Sequence, residues 1–405
     1  MRPNCCAKFL TDGERPEGRR VNKSSPRELW FWERITSPHV AGLLGALARS
    51  GCRVTYVAEM PMLEDRVLQG WAPPSLDGVN LHLVRSREEV WSIVNMAPPS
   101  SIHICDGVRG NGLANVAQVG LASRGLRQWV AMETVDDSGW RGVAKRLEYR
   151  RLFWKWGGRI QGVLATGAMT ADWVRARGLP IELVYPFAYF LSEPERLRIE
   201  QREPRAAFQV IFVGALIPRK RVDLLIAALA RIPDPFVELT VVGGGELESM
   251  LKSMAEAMLP GRVTWTGTLP MGEAQAAIAK ADCLVLPSRH DGWGAVVSEA
   301  LMAGTPVICS EGCGTAVVVR ASGHGGVFES GSVAGLADQL TRIIARGRLS
   351  DGERDALADW AQCLGAEAGA KYLLRVLDHA DGRGARPEAP WAATRTTRGM
   401  EEVNP

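Results

Sequence analysis

The sequence predicts an α/β protein built from two doubly wound, Rossmann-like domains that face each other across a cleft. Three observations predict it. The chain has 405 residues, too many for one ordinary core. Short β-rich runs alternate with helical runs along most of its length, the pattern of a parallel sheet covered on both faces. Near the middle a charged, proline-bearing stretch, SEPERLRIEQREPR, interrupts that alternation and reads as a linker. The predicted layout is a mobile tail over 1–26, a first domain over 27–191 and a linker over 192–207. A second domain over 208–365 follows, then a closing helix over 366–380 and a second mobile tail over 381–405. Both tails are rich in Arg, Gly, Pro and Glu and carry little periodicity.

Composition narrows the class. The apolar fraction of 46% and charged fraction of 23% are those of a globular protein. The net charge of +3 draws no nucleic acid globally, so any basic effect is local. No apolar run reaches the length of about eighteen residues that a membrane span needs. The opening stretch MRPNCCAKFLTDGERPEGRR has no apolar core segment, which predicts no signal peptide and a cytoplasmic protein. That expectation disfavours a bilobal solute-binding protein. Of the eight cysteines, Cys52, Cys105, Cys283 and Cys309 lie in strand-like apolar runs, where a thiol packs as a small hydrophobe. Cys309 and Cys313 lack zinc-knuckle spacing, so no metal site is expected.

In the first domain, residues 29–35 read as a strand, and Ser37-Pro38 then starts a helix by N-cap and first-turn proline. Residues 54–58, 79–84, 102–105, 128–132, 162–165 and 181–184 read as further strands, with helices in most gaps. The second series begins at Phe208. Its strands are FQVIFVG, VELTVVG, RVTWTG, CLVLP and TPVIC, separated by helices over 222–231, 246–258, 272–280 and 295–303. Ligands of such folds sit at the carboxyl ends of strands, so the loops after Gly214, Val242, Thr266 and Pro287 matter most.

Those loops carry charge and glycine. Arg219-Lys220-Arg221 follow a strand and open a helix. Helix starts normally attract acids, so cations crowded there make sense when an anion completes the site; the bland alternative is a solvated basic turn. Arginine offers phosphate a planar fork and lysine a point charge. Gly243-Gly244-Gly245 let the backbone approach a ligand closely and free N–H groups for it. Neither a dinucleotide fingerprint nor a Walker A loop is present, which argues against a dehydrogenase or an ATPase. Asp291-Gly292-Trp293-Gly294 end the strand CLVLP, and Glu299 lies about one turn into the next helix. A carboxylate there can accept from a vicinal diol such as ribose. Unpaired, it is costly, so a ligand or an internal partner is expected.

The ordered set Gly214…Arg219-Lys220, Val241-Val242-Gly243-Gly244-Gly245, Ser288…Asp291-Gly292-Trp293-Gly294…Glu299-Ala300…Gly304-Thr305-Pro306-Val307-Ile308 resembles the retaining GT-B glycosyltransferases of family four, over about residues 208–328. The resemblance implies a GT-B fold and a nucleotide-sugar co-substrate, UDP- or GDP-linked, with no other cofactor. It implies that Glu299 binds the ribose hydroxyls and Asp291 sits by the donor sugar. Arg219 and Lys220 would neutralise the diphosphate in place of a metal. Gly214, Gly243 and Gly244 would line the donor site, and Gly292, Trp293 and Gly294 would give it backbone contacts. Three departures stand out. The first acid is aspartate where glutamate is usual. Ala215 replaces a usual arginine, whose place Arg219 takes. Cys105 falls where a catalytic-site histidine is expected, leaving His103 or His39 to serve.

The acceptor half is less marked. Glu133 follows a strand of the first domain, where it can hold acceptor hydroxyls or cap the next loop. The stretch WRGVAKRLEYRRLFWKWGGR, residues 140–159, carries seven cations against Glu148 alone. Trp140, Leu147, Phe153, Trp154 and Trp156 interleave with them, which suits either an anionic membrane surface or a solvated helix with its rings packed inward. The expected function is transfer of a sugar to a saccharide or lipid-linked acceptor with retained configuration, in polysaccharide or glycolipid biosynthesis, by a cytoplasmic, peripherally membrane-bound enzyme. A nucleotide-binding subunit without transferase activity is the alternative reading, and a nucleotide-sugar epimerase would need acid and histidine residues that are not found.

Overall fold

The computed structural model describes residues 26–109, 111–193, 207–233 and 235–392. The first tail up to residue 25, linker residues 194–206 and residues 393–405 lie outside the described residues. The first sheet contains β1 (Glu28–Ile35), β2 (Arg53–Met60), β3 (Val79–Leu83), β4 (Ile102–Asp106), β5 (Arg127–Glu133), β6 (Ile160–Thr166) and β7 (Val184–Phe187). They lie in the order β3-β2-β1-β4-β5-β6-β7. The second contains β8 (Phe208–Val213), β9 (Val237–Val242), β10 (Val263–Gly267), β11 (Cys283–Leu286), β12 (Val307–Ser310) and β13 (Gly325–Phe328). Their order is β10-β9-β8-β11-β12-β13. Every pairing in both sheets is parallel.

Each sheet reverses its strand order at its opening strand. β1 lies between β2 and β4, and β8 lies between β9 and β11. Connections diverge to opposite faces at such a point and leave a crevice beyond the strand ends. The strands are near-continuous apolar runs because both faces are covered: Leu284, Val285 and Leu286 of β11 and Val307, Ile308 and Cys309 of β12 have no exposed surface.

The structure departs from the sequence reading in several elements. Residues 181–183 form a single 3-10 turn, Ile181–Leu183, and the strand starts only at Val184; a short apolar run does not fix its own type. Strand β13 was not foreseen, because its sequence GGVF opens with two poor strand formers. Helices Val333–Arg346 and Asp351–Trp360 complete the domain, the latter entered through a reciprocal capping box between Ser350 and Glu353. Ser37 occupies the N-cap position before Pro38, but its side chain makes no capping bond.

The chain end returns to the first domain. Helix Ala366–Ala380 lies on helix Pro38–Arg49, with the Tyr372 hydroxyl donating to the Pro186 carbonyl at 2.9 Å and Arg27 paired with Asp378 at 2.6 Å. Residues 381–392, the start of the expected second tail, pack against both domains. Trp391 is buried, its ring centroid 6.4 Å from that of Phe190 and 5.9 Å from that of Trp293.

Candidate active site

The carboxyl ends of the two sheets face each other across a cleft of about 840 Å³. On the second-domain side, the loops after β8 and β9 press together. A Cβ on Gly243 would lie 2.1 Å from the Gly214 carbonyl oxygen, and Gly243 has φ 131°, so both close approach and backbone shape require glycine there. Gly214, Gly243 and Gly244 all line the cleft.

Pro218–Lys220 form one 3-10 turn beyond Gly214. Arg221 then adopts a left-handed φ of 55° and binds Asp223 at 3.1 Å, which removes it from the site. Arg219 and Lys220 point at the loop after β11. Lys220 Nζ lies 2.5 Å from Asp291 Oδ2, Arg219 Nη1 lies 3.3 Å from Asp291 Oδ1, and Ser288 Oγ donates to Asp291 at 3.2 Å. Burial works to raise the Asp291 pKa; the charge and hydrogen bond of Lys220, the charge of Arg219 and the Ser288 hydroxyl outweigh it and leave the carboxyl below its ordinary value. An ammonium has three donors and a guanidinium five, so both cations keep donors for phosphate oxygens while paired to Asp291.

Glu299, on helix Ala295–Met302, also faces the cleft. Burial raises its pKa to about 7, against an opposing hydrogen bond from Gln275. Gly292 and Gly294 line the cleft as well. The Trp293 side chain does not: its indole is fully buried and donates to Ser298 Oγ at 3.0 Å. Only its backbone remains available for the role that the resemblance implies.

The first-domain wall is acidic and aromatic. Glu133 ends β5 and reaches across the cleft; a Cβ on Gly292 would lie 2.0 Å from Glu133 Oε2. Burial raises the Glu133 pKa, a hydrogen bond from Tyr189 opposes this, and the Asp291 charge adds to the rise. His39 stacks on Tyr189 with centroids 5.6 Å apart and meets Trp71 edge-on at 4.6 Å. Burial, and then the charge of Arg66, lowers its pKa to about 4, so the ring is neutral near pH 7. Two further carboxylates line the same wall. Glu33 is raised to about 8 by burial and by Asp106, although the Tyr56 hydroxyl donates to it at 2.8 Å. Asp106 is open to the cleft, yet the enclosing protein still raises it to about 6.

His103 is not part of the site. It is fully buried on the far side of β4, where its Nδ1 accepts from Trp32 Nε1 at 3.1 Å and its Nε2 faces Ser101 Oγ at 2.8 Å. Burial, then Arg124, lowers its pKa to about 3. Alternation along β4 sends Cys105 to the same core and brings Ile104 and Asp106 to the cleft. Sequence reasoning missed Glu33, Asp106, Trp71 and the cleft role of Tyr189. For Glu33 and Asp106 a signal was present, since both are carboxylates at the ends of apolar strands. Trp71 sits in an irregular loop and gave none.

Residues 194–358 match the family of Glycosyl transferases group 1. That segment is similar to the group 1 glycosyltransferases. The chain is 27% identical over 187 residues to the sulfoquinovosyl transferase of Arabidopsis thaliana, covering 45% of this chain and 35% of that protein. It is 31% identical over 178 residues to the phosphatidyl-myo-inositol mannosyltransferase of Mycobacterium leprae, covering 43% and 45%. The chain thus spans less than half the length of these curated relatives. Its fold resembles that of Anabaena HepE, solved in complex with UDP, with a TM-score of 0.65 and 16% identity over 87% of this chain and all of the other. This likeness shows the GT-B fold. The matched segment holds Arg219, Lys220, Asp291 and Glu299, whereas His39, Glu33, Asp106 and Glu133 lie outside it.

Two outcomes follow from this geometry. Lys220→Ala lowers turnover by about 10²-fold, the scale of one lost anion-stabilising donor, measured as initial rates at saturating donor. For a nucleoside diphosphate held in this cleft with its ribose diol on Glu299, binding measured by calorimetry strengthens as pH rises through about 7, where Glu299 ionises; Glu299→Gln removes that part of the pH dependence. The same raised pKa sets the sign for stability. The folded chain holds the Glu299 proton more tightly than the unfolded chain, so this group's contribution to stability falls as pH rises toward 7.

Proposed function

We propose that the protein is a glycosyltransferase that moves a sugar from a nucleoside-diphosphate donor to a saccharide or lipid-linked acceptor with retained anomeric configuration. The observation that carries this reading is the joining of Asp291 to Lys220 and Arg219, opposite Glu133 and beside Glu299, at the carboxyl ends of both sheets. In the reaction the bond from the anomeric carbon to the β-phosphate oxygen breaks, and a bond from an acceptor hydroxyl to that carbon forms. The acceptor proton passes to the departing phosphate when attack comes from the leaving-group face. Lys220 and Arg219 stabilise the charge that develops on the β-phosphate. Asp291 orients the two cations and faces the donor sugar, Glu299 holds the ribose, and Glu133 with neutral His39 receives acceptor hydroxyls. Relatives named as binding UDP or mannosylating phosphatidyl-myo-inositol make UDP the first nucleotide to test and a lipid-linked acceptor a natural candidate.

A second feature supports peripheral contact with an anionic membrane in the cytoplasm. Helix Gly139–Trp156 buries Tyr149, Phe153 and Trp156. Four other apolar side chains face outward, at 80% exposure for Trp140, 50% for Val143, 61% for Leu147 and 87% for Trp154. Their spacing follows the helical period, so they form one stripe, flanked by the exposed Arg150 and Arg151. Apolar rings bordered by cations match a bilayer interface with acidic headgroups. Among the described residues, no helix is long and apolar enough to cross a membrane.

Calorimetry with UDP, GDP and their common sugar conjugates tests the donor assignment. One nucleotide family binds saturably, and Glu299→Ala abolishes the binding; absence of binding to all of them would overturn the transferase reading. Sedimentation with phosphatidylglycerol vesicles tests the surface. The protein pellets at low salt, and replacing Trp140 and Trp154 with alanine releases it; a wild-type protein that stays in the supernatant removes the membrane contact.

A further inference from the structure

The loop that carries Asp291 touches the first domain on both sides of the acid. On one side, His290 Nε2 lies 3.0 Å from the Thr134 carbonyl oxygen. A carbonyl only accepts, so Nε2 carries the hydrogen. On the other side, the Asp291 backbone is tied to residues 312–314. Its N–H donates to the Gly312 carbonyl at 2.9 Å, and its carbonyl accepts from Gly314 N–H at 2.9 Å. The Gly314 carbonyl then accepts from Ala168 N–H of the first domain at 3.0 Å.

Between these grips there is no room for a side chain. A Cβ on Gly167 would lie 2.2 Å from the Gly292 carbonyl oxygen, and one on Gly314 would lie 1.8 Å from the same atom. The contact is backbone on backbone, so its geometry is set by domain position and not by side-chain adjustment. His290 also faces inward through its main chain: its carbonyl accepts from Arg219 Nη1 at 2.7 Å, while Arg289 N–H donates to the Arg219 carbonyl at 2.8 Å. One residue thus holds the first domain with its ring and the cleft-lining Arg219 guanidinium with its carbonyl. The neighbouring pair Arg289–Asp136, at 3.3 Å with Arg289 well exposed, contributes little by comparison.

We propose that His290 is a positioning residue that couples closure of the two domains to the placement of Asp291 and Arg219 at the donor. This rests on the glycosyltransferase reading for its functional consequence, but the coupling itself is a property of the interface. Separating the domains releases the His290 ring and the Gly314 carbonyl together and frees the acid loop on both flanks. Closing them seats that loop before transfer, in the way that binding energy is used to assemble a reacting site.

The test compares His290→Ala, His290→Gln and Arg289→Ala with wild type by two readouts. His290→Ala lowers kcat by about fivefold to tenfold, the scale of one lost hydrogen bond, while its UDP affinity stays within about twofold. His290→Gln keeps an N–H donor and restores most of the loss. Arg289→Ala changes kcat by less than about twofold. In small-angle scattering with UDP bound, His290→Ala shows a larger radius of gyration than wild type, and His290→Gln does not. A wild-type kcat and radius in His290→Ala would overturn the proposal. So would equal losses in the alanine and glutamine variants, or a fall in UDP affinity that matches the fall in kcat. A wild-type protein that shows no turnover would defeat the transferase reading instead, and scattering of the proteins alone would still decide the latch.

Discussion

The arrangement of the cleft depends on one ion cluster, Asp291 with Lys220 and Arg219. It joins two loops that are distant in sequence and adjacent in space, because β8 and β11 are neighbours at the switch point of the second sheet. A carboxylate this enclosed is costly without partners, and two cations crowded at a helix entrance repel each other and the helix dipole. Each group answers the other's cost. The cluster is also held through the backbone, by the bonds between residues 289–290 and Arg219. Removing Lys220 therefore leaves Asp291 half-buried and less compensated, which is more damaging than losing an exposed pair.

The second domain was legible in the sequence because its chemistry lies in short, ordered loops. Glycines at 214 and 243, cations at 219 and 220, and acids at 291 and 299 each follow an apolar strand, and strand ends are where such folds bind. Trp293 shows the limit of that reading. Motif position places the residue at the turn, but the turn's backbone sends the indole into the core toward Trp391. The reason lies about a hundred residues downstream, in a stretch that composition alone reads as a tail.

The first domain was less legible for a related physical reason. Its strand boundaries were readable, but which side of a strand end faces the cleft depends on registers that the sequence does not state. At β4 the alternation of the strand separates His103, packed against Trp30 and Trp32, from Asp106, three residues on, in the cleft. Histidine attracts attention as a catalytic type, yet here burial makes it a neutral core group. His39 is neutral as well, but its ring lines the cleft beside Tyr189, so the same chemistry has a different use. Tyr189 was visible only as part of a domain end; its role appears once the fold brings it to Glu133.

The charge of the cleft follows from the same burial. Counting residues gives six carboxylates, Glu33, Asp65, Asp106, Glu133, Asp291 and Glu299, against Arg66, Arg219 and Lys220, a poor setting for a diphosphate. The count overstates the negative charge. With its pKa near 8, Glu33 is mostly protonated at pH 7, and Glu299, near 7, is about half protonated. Asp291 is the group held below its ordinary value, so it keeps its charge, and it is the one paired directly to cations. Negative charge is therefore reduced at Glu33 and Glu299 and kept at Asp291, where Lys220 and Arg219 balance it. Burial, which looks like a penalty on each carboxylate alone, thus lowers the negative charge that Glu33 and Glu299 present to the cleft.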